Sequence, residues 1–193
     1  MKKLKLLVIS DCHTLTLEEV EKIKEITYDA CIFLGDIEGK YLDWFLRYVP
    51  KEKAYGILGN HDTFDLLEKR NITNLHLNCI EINGVKIMGF QGAPKYKNNN
   101  IFPLYTQEES EELLKNTEKV DILVSHDGPY QLYNSNNSHC GFIGITKYLR
   151  KNKIPLNIHG HHHINSKKKI RKTKVICVYR CCLISGKKIK KIF

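Results

Sequence analysis

The sequence predicts an α/β fold, and three observations carry that prediction. Short β-type runs alternate with stretches of helical periodicity through the first half, the pattern of βαβ units. Several of those runs end in clusters of Asp, Asn and His. The 193 residues, 42% hydrophobic and 27% charged, suffice to bury a core and lack the bias of disordered or fibrous chains. One domain covering residues 1–193 is expected.

In order, residues 4–10 read as a buried strand. Residues 17–26 carry apolar positions at 17, 20, 23 and 26, a helical spacing, with Thr16 and Glu19 as a capping box. A second strand covers 30–34, a helix 41–48 stops before Pro50, and a third strand covers 54–58. A short helix is expected after Asp62, through Leu66-Leu67. Asn83-Gly84 between apolar runs 79–82 and 85–90 marks a hairpin. Residues 91–105 read as a polar loop, 106–116 as an acidic helix and 121–125 as a strand. A loop of Gly, Asn and Ser over 128–141 leads to a helix over 143–151 and a strand over 156–159. Residues 169–179 alternate as an edge strand, and 180–193 close a hairpin at Ser185-Gly186.

Charge is unevenly distributed. Residues 1–127 hold 16 Lys and Arg and all 21 Asp and Glu, whereas 128–193 hold 15 basic residues and no acid. Such a tail attracts phosphate without reading sequence, although 26 of the 31 basic residues are Lys beside many Asn and Ile, as A/T-rich coding also produces. Seven cysteines, with no CxxC pair and several inside apolar runs, argue against a disulfide framework and for a reducing cytoplasm. The vicinal Cys181-Cys182 reads as two buried strand residues. Met1-Lys2-Lys3 has the charge of a secretory leader, but Ser10-Asp11 cuts the apolar run too early for one. No stretch approaches the roughly 20 apolar residues that span a bilayer, so no membrane contact is expected.

The strand ends carry the chemistry. They deliver Asp11 and His13, then Gly35-Asp36, then Gly59-Asn60-His61-Asp62, then His126-Asp127, and finally His159-Gly160-His161. In open α/β sheets the crevice beyond the carboxyl ends of the strands takes the ligand, so these clusters point at one pocket. Carboxylate with imidazole suits Mn, Fe, Ni or Zn better than Ca.

In that order the motifs resemble those of the calcineurin-like metallophosphoesterase superfamily. Residues 83–92 and 125–163 look like its small prokaryotic phosphodiesterase branch. The resemblance implies a four-layer αββα sandwich: two mixed β-sheets flanked by helices, with the metal site at the strand C-terminal ends. It implies two divalent metal ions, Mn foremost, with Fe, Ni, Zn or Mg as alternatives. Asp11, His13 and His161 would hold the first, Asn60, His126 and His159 the second, and Asp36 would bridge them. A metal-bridging hydroxide would attack phosphodiesters, and also phosphomonoesters, in small phosphate esters or nucleotides, with His61 as general acid. The stretch Gly35-Asp36-Ile37-Glu38-Gly39-Lys40 lacks the second Asp and the Arg of phosphoprotein phosphatases, which argues against a phosphoserine substrate. With no capping insertion, the site should be open.

Two other readings stand beside this one. The basic final third would suit a nuclease if its lysines line a groove leading to the metals. A non-catalytic binding scaffold would show degraded ligands, and none is degraded. Among the remaining residues, His162 and His163 are expected to point away from the metals, His76 to sit on the surface, and Cys12 to be a buried inert thiol. His139 is a candidate phosphate contact. Tyr130 and Tyr133 would either stack on a base or simply pack, and Asp62 would either orient His61 or cap the helix after it. Lys167–Lys169, Arg171 and Lys172 read as a solvated turn and edge strand.

Overall fold

Lys5-Leu-Leu-Val-Ile-Ser is too uniformly aliphatic for a strand with a wet face, and after its first residue it is buried on both sides as the centre of a sheet. A computed structural model describes residues 4–98, 100–133, 139–186 and 188–193. Its strands are β1 (Lys5–Ser10), β2 (Ala30–Phe33), β3 (Ala54–Gly56), β4 (Thr73–Asn74), β5 (Cys79–Ile82), β6 (Val85–Phe90), β7 (Ala93–Pro94), β8 (Leu104–Tyr105), β9 (Ile122–Ser125), β10 (Leu156–His159), β11 (Ser166–Ile170), β12 (Thr173–Cys177), β13 (Arg180–Ser185) and β14 (Lys188–Lys191). The α-helices are α1 (Leu17–Glu21), α2 (Gly39–Phe45), α3 (Gln107–Lys115) and α4 (Ile143–Asn152).

Two six-stranded mixed sheets result. One has the order β14-β13-β1-β2-β3-β4, the other β11-β12-β10-β9-β6-β5. Each contains a run of four parallel strands, with antiparallel strands at one edge or both. Three apolar clusters separate four layers. Leu7, Ile9 and Phe33 meet Leu42 and Phe45 of α2 on one side. Leu6, Val8 and Ile32 meet Ile87, Val124 and Ile158 between the sheets. Met88, Phe90 and Leu123 meet Leu114 of α3 and Leu149 of α4 on the far side. This is the αββα sandwich expected.

Local signals held where they rested on caps and turns. Thr16 and Glu19 form their capping box, although the α-helix ends at Glu21 and continues as a 3-10 turn. Thr106 and Glu109 form a second one at α3. Cys181 and Cys182 are buried on opposite faces of β13, in different clusters. Elsewhere the structure corrects the reading. Residues after Asp62 form turns and a short 3-10 helix, Glu68–Arg70, in place of an α-helix. Residues 91–105 include the parallel pair β7-β8. The expected edge strand over 169–179 is a hairpin: Ile170 pairs with Thr173 across the Arg171-Lys172 turn, and β12 lies inside the sheet, parallel to β10. Alternation of Lys with Ile and Val belongs to any strand with one wet face, so it could not place the turn. No helix among the described residues is long and apolar enough to cross a membrane.

Candidate metal centre

Parallel strands end together, and β1, β2, β3, β9 and β10 deliver their following residues to one end of the sandwich. A cavity of about 250 Å³ lies there, lined by His13, Asp36, Asn60, His61, Tyr96, His139, His161 and His163. Asp36, His126 and His161 each bring a ligand atom within 4.8 Å of the others, and all three are buried. His13 and His61 are exposed at the rim.

The backbone is bent into place at the crucial residues. Asp11 (φ 54°), Asp36 (φ 52°), His161 (φ 67°) and His163 (φ 51°) are left-handed. Each such residue costs on the order of 1–3 kcal/mol, a strain that clusters at functional sites. Close approach is enforced by two glycines: a Cβ at Gly59 would fall on Oδ1 of Asp36, and one at Gly160 on Oγ of Ser10.

Hydrogen bonds fix the carboxylates. Asp36 Oδ1 accepts the His61 N–H at 2.9 Å, and its Oδ2 lies 3.4 Å from His126 Nε2. Burial opposes the Asp36 charge, but His126 and the His61 N–H hold its carboxyl well below the usual range. Asp62 Oδ2 accepts the N–H of Asp36 (2.8 Å) and of Gly59 (2.7 Å), tying two loops of the site together. It therefore ties loops together and caps no helix. Burial and the adjacent Asp36 charge push its carboxyl up to about 7.

His126 is fully buried; its Nδ1–H donates to the Leu34 carbonyl at 2.7 Å, which leaves Nε2 to face Asn60 Oδ1 (2.9 Å) and Asp36. That is the arrangement a ligating imidazole needs. Asp11 Oδ2 accepts from Ser10 Oγ (2.5 Å) and the His161 N–H (2.9 Å). Its Oδ1 is buried without a hydrogen bond, 3.5 Å from His163 Nε2. An orphaned carboxylate oxygen beside an imidazole, inside a set of Asp, Asn and His donors, fits a divalent cation.

Of the expected ligands, the structure brings together Asp11, His13, Asp36, Asn60, His126 and His161, but not His159. The His159 ring is buried with Nε2 on the Tyr133 hydroxyl (3.1 Å) and Nδ1 against the Gly160 carbonyl (3.1 Å), and burial pulls it down to about 3. In its place His163 faces Asp11 and lies 5.6 Å, ring to ring, from His13. His162 does not line that cavity; its Nε2 is 3.1 Å from Asp127 Oδ1.

Asp127, which follows His126 in the strand-end cluster, has a role that the motif did not assign. Fully buried, it accepts the N–H groups of Gly128 (2.6 Å) and Gly141 (3.2 Å) and stands 4.0 Å from His161 Nε2. Burial opposes its charge, but His162 and His161 keep its carboxyl low. The available signal was position: it is the last acid before an acid-free third. His139 stacks on His161 at 4.4 Å. His76, expected at the surface, packs against Phe90 and Tyr105. Cys12 is buried, and burial pushes its thiol up into the inert range.

Fold and site together define a metal-dependent hydrolase built on an αββα sandwich. The calcineurin-like phosphoesterase family model matches residues 4–165, and the chain belongs to that family as a metal-dependent phosphoesterase. Solved structures share its fold at low identity. TT1561 of Thermus thermophilus superposes with a TM-score of 0.70 at 13% identity, over 98% of this chain and 98% of that one. The phosphopantetheinyl hydrolase of Mycobacterium tuberculosis gives 0.63 at 15%, over 92% and 90%. Vps29 of Entamoeba histolytica in complex with Zn2+ gives 0.50 at 14%, over 96% and 89%. No curated protein matches the sequence.

Proposed function

We propose that the chain is a dinuclear phosphodiesterase acting on small phosphate esters or nucleotides. The observation that carries this reading is Asp36: buried beside His126 and His161, it lines one cavity with His13, Asn60 and His163. Asp11, His13 and His163 would hold one ion and Asn60, His126 and His161 the other, with Asp36 shared between them. His163 replaces His159 in the ligand set drawn from sequence, and His161 moves from the first ion to the second. Two divalent ions there would polarise a phosphoryl oxygen and lower the pKa of bound water. Mn, Fe and Zn all suit the donors, Mn foremost, and the zinc complex of Vps29 belongs to a protein of the same fold.

The chain's own groups supply the rest. The His126–Leu34 bond presets the tautomer that ligation requires. His61, exposed at the rim and anchored through its backbone to Asp36, is placed to protonate the leaving oxygen. Tyr96, whose hydroxyl accepts from Asn60 Nδ2 at 3.3 Å, and His139 form the wall against which an ester substituent would lie. His13 and His61 are exposed at the rim, where a diester's leaving group would face solvent.

Among the described residues no Lys or Arg lines the cavity, which favours a small ester over a polynucleotide gripped by the basic final third. Hydrolysis of bis(p-nitrophenyl) phosphate by the Mn-loaded protein tests the proposal. His61→Ala should lose about 10²–10⁴-fold in rate, the usual worth of a general acid, while retaining its metal. Full activity in that variant removes His61 from the chemistry, and full activity in Asp36→Ala rules out the two-ion reading.

A further inference from the structure

A second cavity, of about 1140 Å³, lies at the other end of the strands. Its floor is aliphatic: Leu4, Leu6, Val85, Ile122, Leu156 and Ile184. Val85, Ile122 and Leu156 open strands β6, β9 and β10, so the cavity sits at the amino ends of strands whose carboxyl ends carry the metal centre. An apolar hollow of this size is the composition of a ligand site, and leaving it wet is unfavourable.

Its rim is cationic. Lys167 pairs in register with Ile176, which belongs to the inter-sheet core, and Lys169 pairs with Lys174. Strand alternation therefore sets Lys167, Lys169 and Lys174 on the inter-sheet face, over the floor. Lys168 faces the opposite way, its Nζ donating to the Leu132 carbonyl at 2.7 Å. Lys172, in the turn, completes the rim. No carboxylate among the described residues lies within 4.0 Å of the ammonium groups of Lys167, Lys169 or Lys172. The one acid in the lining, Asp121, accepts the Lys86 N–H at 2.9 Å.

From this juxtaposition we propose that the basal cavity binds a single-chain amphiphilic anion. The alkyl chain lies on the aliphatic floor, and the carboxylate or phosphate head meets the lysine rim. Lysines suit that rim because their stems extend the apolar wall while their ammonium groups stay in water. A polynucleotide fits poorly, since the lining offers no aromatic ring on which a base would stack. The basic run in the sequence thus serves a site remote from the metals.

The test uses the full-length protein and dodecanoate below its critical micelle concentration, followed by calorimetry. Saturable binding of one dodecanoate per chain is expected, with dodecanol and dodecyltrimethylammonium at least about tenfold weaker. Lys167→Glu/Lys169→Glu should weaken dodecanoate by about tenfold or more while leaving metal-dependent diester hydrolysis unchanged. Val85→Trp, which fills the floor, should abolish binding. The proposal is overturned if dodecanoate shows no saturable binding, or if the alcohol and the charge-reversed variant bind as well. An acidic amphipathic peptide that binds and is not displaced by dodecanoate would also overturn it, reassigning the groove to a protein partner.

Discussion

Asp62 holds two loops of the metal centre through one oxygen, and two substitutions separate its roles. Asp62→Asn retains an oxygen that can accept the N–H groups of Asp36 and Gly59, whereas Asp62→Ala leaves both donors buried without an acceptor. Neither variant carries the charge, so the difference between them isolates the acceptor. Each orphaned buried N–H costs roughly 1–3 kcal/mol, which places Asp62→Ala about 2–6 kcal/mol below Asp62→Asn. At the middle of that range, about 4 kcal/mol, the melting temperature falls by roughly 8–16 °C for a chain of this size. Urea unfolding in the presence of a chelator reads it directly. Equal stability of the two variants, within about 0.5 kcal/mol, would refute the tie between the loops. The charge has its own signature. The folded pKa of Asp62, about 7, lies above its unfolded value, so the metal-free protein loses stability as pH rises toward and through 7. Asp62→Asn should remove that loss.

His163→Ala should lower metal affinity and diester hydrolysis by more than about 10²-fold, beyond what an outer partner costs. His159→Ala should lower stability by about 1–3 kcal/mol and keep its metal; metal content of both variants decides, and the opposite pattern restores His159 as ligand. His76 is pulled down to about 4 by burial. Between pH 6.5 and 4 the unfolded chain takes up a proton there that the folded one refuses, so stability falls with pH by up to about 3 kcal/mol. His76→Phe, melted across the same range, should fall by less; an unchanged slope would show that His76 does not titrate this way.

Much of the site was legible because its residues follow strands, and strands ending in Asp, Asn or His can be read without knowing the sheet. The histidine run was not. Spacing of two fits both 159/161 and 161/163, and what decides is where β10 stops. His159 still pairs with Ser125 and Cys177, so its side chain belongs to the sheet, while the turn beyond it, left-handed at 161 and 163, presents the next histidines to Asp36 and Asp11. Backbone of that hand is favoured at Gly, and nothing in a His or Asp announces it. Asp62 and Asp127 were visible beside the motifs, but their roles were not: their partners are backbone N–H groups and histidines brought close only by the fold. The basic tail was visible as charge, but its placement depended on the Arg171-Lys172 turn, which sets Lys167 and Lys169 on the inter-sheet face.

The central claim is two ions joined by Asp36, and metal stoichiometry after Mn2+ loading and exhaustive dialysis tests it most directly. A dinuclear centre predicts two Mn per chain with an exchange-coupled electron paramagnetic resonance spectrum, and loss of the coupling in Asp36→Ala. One Mn per chain with an uncoupled spectrum, unaltered by Asp36→Ala, would contradict it.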